Sequence, residues 1–283
     1  MSTLSPPSPL ERIRHHLVGL GMPRALETLE STLARIEQGE VSALEAIETL
    51  LGEELTTRET RRIRMALMTA RLTTIKTLAS YDFSFQPSLD RNRVLALAQL
   101  DFIERRQCVH FLGPPGTGKS HLAVALGVEA VKAGKSVYFA TLAELVTSMQ
   151  KAEREGSLRE RVRYLARHSL LVVDEIGYLP VGTGGGNLFF QLVNACYERC
   201  AVILTSNRGF GEWADIFGDA VVATALLDRL LHHAVVIAIE GNSYRLREHA
   251  DLVPEHLRSR PLPKLIDLPE PKRRRGRPPK EVA

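Results

Sequence analysis

Eight residues limit what this chain can fold into more than any others: Gly113-Pro114-Pro115-Gly116-Thr117-Gly118-Lys119-Ser120, a G-x-x-x-x-G-K-S run. A short β-type stretch, 108–112, leads into it, and an apolar helical pattern from His121 to Lys132 comes directly after. Strand, glycine loop and helix start, in that order, form the setting in which such a loop binds phosphate. Its glycines let the backbone curl so that successive N–H groups converge on phosphate oxygens. The helix after the loop turns its positive N-terminal end on the same oxygens. Lys119 brings a full charge to the β- and γ-phosphates, and the Ser120 hydroxyl suits Mg²⁺. With Gly113 through Gly118 and His121 they form the expected nucleotide-binding set, for ATP with Mg²⁺.

A second motif agrees with the first. Ser169-Leu170-Leu171-Val172-Val173-Asp174-Glu175 runs from apolar residues into two carboxylates, as a buried parallel strand does where it opens on an active site. Asp174 is then placed to hold Mg²⁺ through its water shell, and Glu175 to polarise an attacking water. A third β-run, 201–207, ends in Thr205-Ser206-Asn207. If its strand lies beside 170–175, Asn207 can reach the γ-phosphate or the water; otherwise it is a strand-ending Asn in a turn.

Strands at 108–112, 136–141, 170–175, 201–207 and 234–240 alternate with helical patterns at 121–132, 142–154, 157–168, 187–200 and 219–233. That alternation predicts an α/β fold: a doubly wound, parallel, five-stranded sheet of the P-loop type. Residues 1–80 read as a smaller all-α domain for DNA or a partner, with an irregular start over 1–9. One helix is expected after Met22-Pro23, a second from a Ser42/Glu45 capping box, and a third from Thr57. The third carries Arg58, Arg61, Arg62 and Arg64 against a single acid, Glu59, either a solvated face or a phosphate-contacting one. Tyr81 to Pro87 reads as a linker, 90–105 as a helix, 81–250 as the ATPase domain, and 251–283 as a disordered basic tail.

Charge is distributed unevenly. The chain carries 37 Lys and Arg against 33 Asp and Glu, but residues 271–283 hold six of those cations and one of those anions. What remains is 31 against 32, so the body is near neutral and the basicity belongs to the tail. No apolar run approaches the ~20 residues of a membrane span and no signal-peptide core is seen, which predicts a cytoplasmic protein without a membrane partner. Three cysteines cannot pair evenly, and Cys196-x-x-x-Cys200 lacks a nearby His or third Cys to complete a zinc spacing; reduced thiols are expected.

From about Arg58 to Arg247 the chain resembles the IstB-like ATPases, helpers of insertion-sequence transposition related to the DnaC helicase loaders within the AAA+ class. The resemblance rests on Thr77-Leu-Ala-Ser-Tyr-Asp-Phe83, Gly113–Leu122, Leu171–Pro180, Thr205-Ser-Asn207, Glu212-Trp213 with Phe217-Gly-Asp219, Leu227-Asp-Arg-Leu-Leu-His-His233 and Gly241-Asn-Ser-Tyr-Arg-Leu246. It implies a sensor role for Asn207. It also implies that Arg229 is an arginine finger reaching a neighbouring subunit's nucleotide in a homo-oligomer; a helix-surface salt bridge is the other reading. The implied function is ATP-dependent assembly on double-stranded DNA to recruit a transposase encoded nearby. A helicase loader with a replicative helicase as partner is the nearest alternative, and a monomeric small-molecule kinase a more distant one. Cys196-Tyr197-Glu198 departs from the family, which tends to have Arg first, and no room remains for a full helical lid.

The tail is not part of that pattern. Pro271–Lys280 resembles an AT-hook with core Arg275-Gly276-Arg277-Pro278, the glycine lying on the floor of a narrow minor groove. A plain polybasic tail is the other reading.

Overall fold

A computed structural model describes residues 7–247 apart from Thr73 and Leu179. The tail, with Arg275, Gly276, Arg277 and Pro278, lies outside the described residues. The chain divides into two compact units between Met68 and Thr69. The division falls before residue 80 because 69–80 packs onto the second unit. Phe139 N donates to Ala70 O (2.9 Å), buried Leu72 lies against Gly127, and His121 Nε2 bonds Thr77 O (2.9 Å).

The first unit is helical: α1 (Pro9–Gly19), α2 (Pro23–Glu37) and α3 (Ala43–Thr69). Ser8, read as part of an irregular start, caps α1 through a capping box with Glu11. The Ser42/Glu45 capping box forms as expected, but the helix it starts does not stop before Thr57. Gly52 sits inside α3 without a positive φ, costing only ~1 kcal/mol. Glu54, 3% exposed, explains the continuity. Its carboxylate accepts the N–H groups of Arg24 (2.9 Å) and Ala25 (3.3 Å), capping α2 in place of a side-chain N-cap. Arg58 then pairs with Glu54 (3.0 Å) and donates to the carbonyls of Leu20 and Gly21, both at 2.9 Å.

In the second unit α4 (Arg91–Leu97) and α5 (Asp101–Glu104) replace the single helix expected over 90–105, because Leu100 takes a left-handed φ of 67°. After them come β1 (Cys108–Leu112), α6 (Lys119–Lys132), β2 (Val137–Thr141), α7 (Leu142–Arg154), α8 (Leu158–Ala166) and β3 (Leu170–Ile176). The unit continues with α9 (Gly185–Cys196), β4 (Ala201–Ser206), α10 (Trp213–Phe217), α11 (Ala220–Leu231) and β5 (Ala234–Ala238). The five strands pair in parallel in the order β2-β3-β4-β1-β5. β3 and β4 are buried at nearly every position, as strands covered on both faces must be. One core layer joins Leu171, Val173, Val202 and Leu204 to Met149, Leu192, Trp213 and Leu226. Every strand therefore delivers its C-terminal end to the same edge of the sheet.

Candidate nucleotide site

At that edge the loop after β1 curls on itself. Lys119 Nζ donates to Pro114 O (2.7 Å), and so does Thr117 Oγ1 (2.9 Å). Gly118 enters α6 at φ 93° and Gly116 sits at φ 84°, conformations that a side chain would strain. Both are also covered: a Cβ on Gly118 would lie 2.6 Å from the Tyr81 ring, and one on Gly116 would lie 2.0 Å from Ser243 Oγ. Tyr81 OH donates to Thr117 O (3.1 Å), its ring meets His121 edge-on, and Tyr244 N donates to Gly116 O (3.0 Å). The linker expected at 81–87 is thus a fixed wall of the loop. Gln86 Nε2 reaches Asn242 O (3.0 Å), and Ser88 Oγ bonds Glu240 O (2.6 Å).

Ser120 Oγ, in the first turn of α6, donates to Asp174 Oδ1 at 2.8 Å, and Thr205 Oγ1 donates to the same oxygen. Asp174 is 6% exposed, so these hydroxyls replace the water it lost. Thr205 also accepts from Glu175 N (3.1 Å). The register explains why: Val173 pairs with Leu204 and Ile176 with Ser206, so Asp174 and Glu175 together face Thr205 across a bulge. The bulge sends the two carboxylates different ways. Asp174 turns inward to Ser120, and Glu175, at φ 62°, stands exposed. Asn207, just past β4, lies against the end of β3: with its side-chain amide nitrogen facing them, it donates to the carbonyls of Ile176 (3.1 Å) and Gly177 (3.2 Å).

Burial lowers the Lys119 pKa to about 8; the Asp174 charge opposes the shift and the Arg245 charge adds to it. Arg245 is thus a second cation near the loop, unassigned from sequence although it lies in the Gly241–Leu246 stretch. Thr205 was equally invisible, being one polar residue of a strand-ending triplet until the register set it against Asp174.

Arg229 is not brought to this cluster. It lies where α11 approaches β5, beside Cys108 and Val202, at the N-terminal edge of the sheet. Its Nε donates to Asn194 Oδ1 (2.9 Å), its guanidinium covers the Phe190 ring, and it forms no ion pair among the described residues. In the first unit Arg58 is engaged as described above, and Arg62 faces Glu59 at 3.5 Å. Arg61 and Arg64 are exposed without an ion pair among the described residues. A second basic surface has no counterpart in the sequence motifs. Arg159, Arg163 and Arg167, four residues apart on and just past α8, line a groove of about 530 Å³ with Arg199, and no acid among the described residues lines it.

A phosphate loop on a parallel sheet of this strand order, with its carboxylates at the end of β3, is the AAA+ P-loop fold. The solved structure of DnaI shares it at a TM-score of 0.50 and 19% identity, over 58% of this chain and 90% of that one. The sequence pattern of the family described as IstB-like ATP binding protein matches residues 16–251, and the chain belongs to that family. An insertion sequence IS21 ATP-binding protein of Pseudomonas aeruginosa is 46% identical over 220 residues, 78% of this chain and 83% of its own length. The corresponding IS5376 protein of Geobacillus stearothermophilus is 39% identical over 238 residues, 84% and 95% of the two chains. No helix among the described residues is long and apolar enough to cross a membrane.

The geometry carries two expected outcomes. Replacing Glu175 by Gly should relieve the left-handed strain and raise stability by about 0.5–1 kcal/mol, whereas Glu175→Gln should not. Thermal melting of the two variants beside the parent checks this. Triphosphate affinity should be flat in pH below about 8 and fall by up to ~tenfold per unit above it, because bound phosphate raises the Lys119 pKa. Binding titrations from pH 6.5 to 9.5 read the slope; no loss above pH 8 would separate Lys119 from the ligand.

Proposed function

We propose that this chain is an ATP-hydrolysing helper of insertion-sequence transposition that assembles on double-stranded DNA and engages a transposase. The observation that carries the reading is the oxygen cluster of Ser120, Asp174 and Thr205 beside exposed Glu175, at the open end of the phosphate loop. Such hard oxygens suit Mg²⁺, which Ser120 and Asp174 would hold, Asp174 through water. The metal would neutralise charge on the phosphates. Lys119 and the loop amides hold the β- and γ-phosphates, Glu175 orients and polarises water, and Asn207 fixes the end of β3 beside it. Arg229 sits at the other edge of the sheet, so on this reading it serves a neighbouring subunit's nucleotide and hydrolysis requires a homo-oligomer. The insertion-sequence relatives favour a transposase over a helicase as the partner.

Lys119→Ala should abolish ATP binding, and Glu175→Gln should bind normally with turnover down by about two orders of magnitude or more. Arg229→Ala should bind but hydrolyse slowly, and mixing it with Lys119→Ala should restore activity. A steady-state ATPase assay on single and mixed variants decides this. Normal turnover by the Glu175 variant, or a rate per subunit that ignores protein concentration, would sink the reading.

The four-arginine groove, the exposed Arg61 and Arg64, and the tail would contact duplex DNA. Like charges four residues apart repel on a bare helix, and a phosphate backbone removes that repulsion. Arg163→Ala with Arg167→Ala should weaken duplex binding several-fold and flatten the log–log salt slope by about two. Truncation after Glu270 should weaken A·T-rich duplexes more than G·C-rich ones if the tail is an AT-hook, and equally if it is only polybasic. Fluorescence anisotropy at several salt concentrations separates these outcomes.

A further inference from the structure

The N-terminal edge of the sheet carries a second cluster of chemistry that the nucleotide site does not use. Glu198 lies just past α9, and His232 and His233 join α11 to β5; all three side chains are exposed. In sequence the glutamate and the histidines are too far apart to read as a metal motif. The fold brings their ligand atoms within 4.8 Å of one another.

We propose that Glu198, His232 and His233 bind a divalent cation of the zinc class, with solvent completing the coordination. Around zinc, nitrogen and oxygen ligands at about 2.0–2.2 Å stand roughly 3.3 Å apart, so exposed side chains close the set by small rotations. The backbone beneath is fixed: Cys108 N donates to His233 O (3.0 Å), and Arg106 Nη1 donates to Glu198 O (2.7 Å). Tyr197 OH lies 2.7 Å from His232 Nδ1, which orients that ring and leaves Nε2 for the metal, as outer partners of ligating histidines do. Two imidazoles and one carboxylate select zinc, nickel or copper over Mg²⁺ or Ca²⁺.

Cys108, Cys196 and Cys200 line the same cavity as Glu198 and His233. Their side chains are half-buried or buried, whereas the three proposed ligands are exposed. Bound metal would tie the turn after α9 to the turn after α11, four residues beyond Arg229, which lines that cavity too. The site is independent of the ATPase reading.

The test uses the full chain, stripped with a chelator, and titrates Zn²⁺ by calorimetry and Co²⁺ by absorption. One saturable Zn²⁺ equivalent is expected, weakened at least tenfold by Glu198→Gln and by His232→Ala with His233→Ala. Cys196→Ser, and His15→Ala in the first unit, should leave the affinity unchanged. Glu198→Gln alters one exposed side chain, and far-UV circular dichroism checks that each variant folds. Full affinity in the histidine variant, no saturable equivalent in the parent, or a sulfur-to-cobalt charge-transfer band lost with Cys196→Ser would each overturn the proposal.

Discussion

Asp174 is the group on which the rest of the site depends. A carboxylate 6% exposed needs donors, and the fold supplies two hydroxyls from different elements, Ser120 at the start of α6 and Thr205 at the end of β4. Both reach it only because β3 lies between β2 and β4 while β1 lies beyond β4, so α6 starts alongside the end of β3. The phosphate loop and the acidic strand end are thereby locked in one geometry before any ligand arrives. Preorganisation of this kind is where electrostatic binding and catalysis gain most.

The same edge stores strain and covers it. Glu175 is held at positive φ by the bulge opposite Thr205, a cost of about 1–3 kcal/mol that the paired strands on either side sustain. Gly116 and Gly118 give the loop its curve, and Tyr81 and Ser243 seal it from outside, one arriving before β1 and the other after β5. Chain remote in sequence therefore sets the shape of the loop.

The far edge is chemically distinct. His110, fully buried on β1, bonds Leu230 O through Nε2 (3.1 Å), and burial pushes its pKa down to about 4, so the imidazole stays neutral. That bond ties the strand leading to the phosphate loop to the last turn of α11, next to Arg229. Thiols, the histidine pair and Glu198 gather around the same turn. The sheet thus separates phosphate chemistry at one edge from the arginine and metal-binding groups at the other.

The phosphate loop, the strand into Asp174 and Glu175, and the five-strand alternation were legible in the sequence because each is a local pattern whose spacing matches its chemistry. Gly113 through Ser120 needs only neighbours to declare itself, and so does the capping box of Ser42 and Glu45. Helix limits were less legible: the helix started at Ser42 runs on through Thr57, and Leu100 breaks 90–105. The roles of Thr205, Arg245 and Tyr81, the four-arginine groove and the Glu198–His232–His233 cluster were not legible, since the groups they meet lie tens to more than a hundred residues away. Strand order and parallel register, set by burying both faces of the sheet, decided which of those distant side chains would meet.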